Sequence, residues 1–287
     1  MVEVKNVEKK LGTFTLNNVN FDLPKGYICG MIGENGAGKT SIIKILLNLY
    51  HPEKGSVKLF GMDYEKDEIR IKDRIGYVLN EDILNGGLTV DEQGEVIGRY
   101  YSEYSKDRFK ALLDEYGLDH TKKIFRLSKG EKLKLQYVFA LSHNPELLIL
   151  DEPTGNFDPE FRDRFTRSLT EFVSDGEHSV LLATHLTSEL DRFGDYIIYV
   201  HKGTVKFSSD KEALCDRYAI IKDSHVKLDC LKKEAVIWRE DTEFGSKALI
   251  YRDRIGQNQI GFKMEIPTIE EIMYGISKKT EKGDETV

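Results

Sequence analysis

The run Gly33-Glu34-Asn35-Gly36-Ala37-Gly38-Lys39-Thr40 constrains this chain more than any other feature, because it joins a strand-like segment to a helix-like one. Before it, Tyr27-Ile28-Cys29-Gly30-Met31-Ile32 reads as a buried strand entered through the breaker Pro24-Lys25-Gly26. After it, Thr40 to Leu47 combines apolar density with long side chains, which predicts a buried helix. Glycine, four residues, then Gly-Lys-Thr is the spacing of a phosphate-binding loop. Its glycines let the backbone curl so that successive N–H groups point at phosphate oxygens, and the helix N-terminus adds a positive end. Gly33, Glu34, Asn35, Gly36, Ala37, Gly38, Lys39, Thr40 and Ser41 are therefore the expected phosphate contacts. Lys39 is expected on the β- and γ-phosphates, and the Thr40 hydroxyl on Mg2+, which favours hard oxygen ligands.

A second pair of residues answers the first. Leu147-Leu148-Ile149-Leu150-Asp151-Glu152 places two carboxylates at the end of an apolar strand, the edge at which open parallel sheets bind ligands. There Asp151 suits the magnesium shell, and Glu152 suits a base that polarises a water for attack on the γ-phosphate. Ser179-Val180-Leu181-Leu182-Ala183 is another continuous apolar run, and helical patterns lie between the two. That arrangement predicts an α/β fold, a parallel sheet covered on both faces. Near the start, alternation over Thr13 to Leu16 and Val19 to Leu23 predicts further strands.

From about Val90 to Tyr116, Phe109, Leu112, Leu113 and Tyr116 recur at spacings of three and four, which predicts an inserted helical subdomain near 82–140. Within it, Arg126-Leu127-Ser128-Lys129-Gly130-Glu131 precedes a helix expected over Lys132 to Leu141. Ser128 there is either a simple N-cap or part of a second anion site at a helix N-terminus. After about Val205 the rhythm is lost, and Pro267-Thr268 marks the start of a closing helix, so residues 208–287 are expected to form a small α+β appendage to a 1–207 core.

With hydrophobic residues at 40% and charged residues at 32%, the chain has the apolar surface to fold. The net charge of −7 argues against a nucleic-acid partner, which calls for a basic field. Cys29, Cys215 and Cys230 are few and not spaced as zinc ligands, so each is expected as a buried small apolar side chain in a reducing compartment. No stretch reaches the roughly 18 uninterrupted apolar residues of a spanning helix.

The phosphate loop, Leu127-Ser128-Lys129-Gly130, Asp151-Glu152-Pro153-Thr154-Gly155 and Ala183-Thr184-His185 follow the order and spacing of an ABC ATPase. The resemblance covers roughly residues 1 to 210 and is nearest to cassettes of bacterial exporters whose permeases are separate, including those handling antimicrobial peptides or drugs. It implies a P-loop NTPase of ABC type with an antiparallel β layer. ATP is the expected nucleotide, Mg2+ the expected metal, and a second cassette, identical or not, the expected partner. Ser128, Lys129, Gly130 and Glu131 correspond to the signature motif, which contacts the ATP of the opposite subunit. Asp158 corresponds to the loop between the two sites, and His185 to the switch histidine. An integral membrane permease would hold the chain at the inner face of the cell membrane.

Four positions depart from the family pattern. Lys129 and Glu131 stand in a signature that usually reads Leu-Ser-Gly-Gly-Gln, which predicts slower hydrolysis. Asn80 stands where a glutamine usually meets magnesium and the attacking water, one methylene shorter. The adenine-stacking position falls on Leu11, with Phe14 close by as the expected ring. Two rivals follow: a soluble ABC protein of ribosomes or DNA, which generally has two cassettes or a coiled coil absent here, and a nucleotide-binding regulator that hardly hydrolyses.

Overall fold

The computed structural model describes residues 1–255 and 261–281. The chain opens with an antiparallel hairpin, β1 (Val2–Leu11) and β2 (Phe14–Leu23), followed by β3 (Ile28–Ile32), α1 (Lys39–Leu46), β4 (Lys54–Leu59), α2 (Tyr64–Asp73) and β5 (Ile75–Val78). Three helices come next, α3 (Val90–Gly98), α4 (Lys106–Glu115) and α5 (Lys129–Ser142). Then follow β6 (Leu147–Asp151), α6 (Pro159–Phe172), β7 (Ser179–Thr184), α7 (Thr187–Phe193), β8 (Tyr196–His201) and β9 (Thr204–Asp210). The remainder is α8 (Lys211–Arg217), β10 (Tyr218–Asp223), α9 (His225–Leu228), β11 (Val236–Thr242), β12 (Gly245–Tyr251), β13 (Met264–Glu265) and α10 (Ile269–Glu281).

Among the described residues the strands form three sheets. The central one runs β5-β6-β7-β3-β8-β9, parallel except for the antiparallel edge β9. Its inner strands β3, β6 and β7 are buried at every residue, because helices or another sheet cover both faces. The pleat divides them between two cores. Leu148, Leu150, Val180 and Leu182 face the side of α5 and α6, while Leu147, Ile149, Leu181 and Ala183 face α1 and the sheet β2-β1-β4. An antiparallel sheet β11-β12-β10-β13 makes up most of the C-terminal part.

Helix starts follow local chemistry. Thr89 with Glu92 and Ser128 with Glu131 form capping boxes, each hydroxyl accepting from the third backbone N–H while the glutamate reaches back. Thr268 and Glu271 do the same before α10. The box at Ser128 starts α5 at Lys129, three residues ahead of the expected Lys132.

Several expectations change. β9 continues through Asp210, past the boundary expected at 207/208. Cys29 is fully buried, as expected, and burial pushes its thiol well above the ordinary range, but Cys215 is half-buried and Cys230 exposed. Cys215 lies on α8 and Cys230 just past α9, outside the buried cluster formed by Ala219, Ile221, Leu228, Leu231, Ala248 and Ile250.

Candidate functional site

The phosphate-loop residues lie between β3 and α1, at the C-terminal edge of the central sheet. Gly38 caps α1 with φ 113°, a left-handed conformation that a side chain would strain. A Cβ on Gly33 would stand 2.2 Å from the Val200 carbonyl oxygen, so the loop can sit on β8 only without one. The Lys39 side chain turns inward; its Nζ donates to the Gly33 carbonyl at 2.7 Å and the Glu34 carbonyl at 3.3 Å. Only 5% exposed, this ammonium is a concentrated positive charge at the loop's centre.

β6 delivers the two carboxylates. Thr40 Oγ1 donates to Asp151 Oδ2 at 2.8 Å, tying the first turn of α1 to the strand end. Burial pushes the Asp151 carboxyl above the usual range, partly offset by the Thr40 hydroxyl. Its Oδ1 is buried without a hydrogen-bond partner, a cost that a cation would relieve. A hydroxyl and a carboxylate with a spare oxygen fit Mg2+, which is usually held by one or two carboxylates plus phosphate oxygens and water. Among the described residues no group of three or more His, Cys, Asp or Glu side chains could hold a metal ion without such help.

Glu152 follows in left-handed backbone, φ 48°, which costs a non-glycine residue about 1 kcal/mol or more. Its N–H donates to the Ala183 carbonyl at 2.9 Å, fixing the turn to β7. One carboxylate oxygen takes the His185 Nδ1–H at 2.5 Å, and the other lies 3.4 Å from Lys39 Nζ. β6, β7 and the phosphate loop thus converge on one carboxylate.

A cavity of about 610 Å³ opens over this cluster, lined by Asn35, Gly36, Lys39, Thr40, Ser41 and Glu152. Phe14 and Leu11 line its rim, as do Lys44 and Tyr50, which sequence reasoning did not single out. The Lys44 ammonium sits 5.4 Å from the Tyr50 ring centre, and an aromatic soon after the phosphate-loop helix was the available signal.

The remaining predicted residues lie outside that cavity. Ser128, Lys129, Gly130 and Glu131 occupy the N-terminus of α5, with Ser128 and Lys129 exposed. Glu131 accepts from the Ser128 N–H at 2.7 Å and pairs with Lys122 at 2.8 Å. Burial opposes ionisation of Glu131, but these partners outweigh it and hold the carboxyl below its ordinary value. Asp158 caps α6, accepting from the Phe161 N–H at 2.8 Å, and pairs with Lys134 of α5 at 3.1 Å. Asn80 is exposed and lines a separate cavity of about 250 Å³ with Glu81, Lys129 and Leu133. The structure therefore gathers the phosphate loop, Asp151, Glu152, His185 and Phe14, and sets Asn80 beside the start of α5.

The chain is similar to known proteins in sequence and in fold. The family described as ABC transporter matches residues 16–155. The chain is 32% identical over 206 residues to the bacitracin transport ATP-binding protein BcrA of Enterococcus faecalis, covering 71% of this chain and 67% of that protein. It is 33% identical over 208 residues to the Nod factor export ATP-binding protein I of Burkholderia lata, covering 70% and 68%. Among solved structures, a dimeric post-hydrolysis state of the ATP-binding cassette MJ0796 bound to ADP and Pi is similar, with a TM-score of 0.65 and 26% identity over 73% of this chain and 98% of that one.

Proposed function

Because this chain belongs to the ATP-binding subunits of the ABC transporter family, we propose that it hydrolyses ATP to drive an exporter whose permease is a separate membrane-embedded subunit. ATP binding and hydrolysis are the family's activity. The exporter reading is supported by relatives whose names specify bacitracin transport and Nod factor export. Among the described residues no helix is long and apolar enough to cross a membrane, which is consistent with a permease that is separate from the cassette.

One observation carries the mechanism: Glu152 is gripped between His185 and Lys39 directly beside the Thr40–Asp151 pair. In the proposed reaction the loop N–H groups and Lys39 hold the phosphates. Thr40 and Asp151 would hold Mg2+, with Asn80 assisting, and the ion would neutralise phosphate charge. Glu152 accepts a proton from water as the water oxygen bonds to the γ-phosphorus and the bond to the ADP oxygen breaks. His185 orients Glu152 and meets the γ-phosphate, while Phe14 flanks the base.

A second cassette would complete each site. Ser128 to Glu131 do not line the cavity over their own phosphate loop, which supports a trans role in which they contact the partner's ATP and Asp158 lies between the two sites. Closure on ATP and reopening after hydrolysis would then move the helices of about 82–140 relative to the rest of 1–207, with 208–287 as an accessory region.

Glu152→Gln is the direct test. Phosphate release should fall about 100-fold or more while ATP affinity stays within a factor of about two, because the amide keeps the shape and loses the proton acceptor. Turnover at the wild-type rate would remove Glu152 from this role.

A further inference from the structure

Gln136 is an amide in the middle of α5, 4% exposed, on a helix whose neighbouring buried residues are Leu133, Leu135, Tyr137, Val138 and Phe139. A buried amide is costly unless both of its ends are paired. Here both are. Its Oε1 accepts from the Leu79 N–H at 2.8 Å, and its Nε2 donates to the Leu79 carbonyl at 3.1 Å and the Glu81 carbonyl at 3.3 Å. The side chain therefore does for Leu79 what a neighbouring strand would do, and it also takes the carbonyl on the far side of Asn80.

That service is needed because the sheet stops short. β5 pairs with β6 only as far as Val78 opposite Leu150, which leaves residues 79–81 without a ladder. The backbone on both sides of Asn80 is fixed to a helix instead. That helix begins with the Ser128 capping box, eight residues or about 12 Å before Gln136 along a rigid rod. Leu133, between them, lines the same small cavity as Asn80 and Lys129. A shift of α5 at its Ser128 end must then carry the Asn80 segment with it, or break two buried hydrogen bonds and one part-buried one.

We infer that Gln136 is a positioning residue for the ATPase reaction: it locks the Asn80 backbone to α5, so that Asn80 serves the metal side of one nucleotide only when α5 is set to present Ser128 to another. The inference rests on the proposed metal-side role of Asn80. It assigns to a buried side chain the coupling between the signature helix and the catalytic loop.

The test is a double-mutant cycle on the full-length chain, with Gln136→Leu, Asn80→Ala and both together, read by kcat, by KM for ATP and by the Mg2+ concentration for half-maximal activity. Gln136→Leu should lower kcat about tenfold and raise the Mg2+ requirement about tenfold, the usual scale for a residue that orients a metal-side group. KM for ATP should stay within about twofold, because the phosphate loop is untouched. The double variant should be no worse than Asn80→Ala alone. If the leucine variant does not fold, Gln136→Glu carries the same cycle, since it keeps an acceptor for the Leu79 N–H and withdraws the donors. Multiplied losses, or an unchanged Mg2+ requirement in the Gln136 variant, would overturn the inference. Wild-type kinetics in Asn80→Ala would instead overturn the role of Asn80 itself.

Discussion

Asp151 is 3% exposed at the end of β6, and burial holds its carboxyl above the usual range despite the hydroxyl that Thr40 donates to it. A carboxyl with a raised folded-state pKa binds its proton more tightly folded than unfolded. Stability therefore falls as pH rises from the unfolded-state value through the folded one, and stays lower above it. Asp151→Asn removes that burden. Its Tm should exceed that of the wild type at about pH 8, with the gap closing toward about pH 4, where unfolded aspartate protonates, while hydrolysis is lost. An equal or lower Tm at the higher pH would show that Asp151 is not an electrostatic strain on the fold. The residues of this site differ in how legible they were. Gly33 to Thr40 are contiguous, so their spacing alone specifies a phosphate loop. The Glu152–His185 contact spans 33 residues and was reached only through family order. Gln136 gave no signal at all, because its partners are backbone groups 55 to 57 residues away.

At the scale of the helix, Ser128 and Glu131 answer a question the sequence left open. The Ser128 hydroxyl accepts from the Glu131 N–H at 3.2 Å, so the residue is an N-cap, and a helix N-terminus so capped remains exposed to an incoming anion. Glu131 is the costly member, since its charge would face the phosphates of an opposite subunit. Glu131→Gln keeps the reach back to the Ser128 N–H and loses only a half-exposed pair with Lys122, worth under about 1 kcal/mol. Its Tm should stay within about 4 °C of wild type while ATP-dependent association and hydrolysis rise. A rate equal to or below that of the wild type would mean that the charge does not burden the trans site. Ser128-x-x-Glu131 and Thr268-x-x-Glu271 were readable as helix starts, yet α5 begins three residues earlier than its apolar pattern suggested. The pattern marks where a helix is buried, and the cap marks where it begins. β10 was hidden for a related reason: its first four residues are all buried, so it shows no alternation.

For the molecule as a whole, the hydrolysis proposed at Glu152 would drive transport only if a moving surface were gripped by a partner in the membrane. Ile83, Leu84, Leu88, Tyr100, Tyr101 and Tyr104 are apolar and aromatic side chains that could form either such a surface or internal core. The structure divides them: Tyr101 stacks on His143 at 3.9 Å, Tyr104 on Phe139 at 5.8 Å, and Leu84 and Leu88 pack against the core, whereas Ile83 is 42% exposed. Ile83 borders an apolar cavity of about 230 Å³ with Leu47, Leu49, Tyr77 and Leu79, and Leu49 is 55% exposed. This cavity adjoins the Asn80 segment on one side and the end of α1, the phosphate-loop helix, on the other. A permease helix seated there would feel both the nucleotide and the setting of α5. Burying an aliphatic side chain contributes about 1.5–3 kcal/mol, so losing two from a contact should weaken it about 100-fold or more. Ile83→Glu combined with Leu49→Glu should therefore release the chain from membranes that contain its permease. ATP affinity should be unchanged, since neither residue lines the nucleotide cavity. Membrane association at wild-type levels in that double variant would place the permease contact elsewhere on the chain.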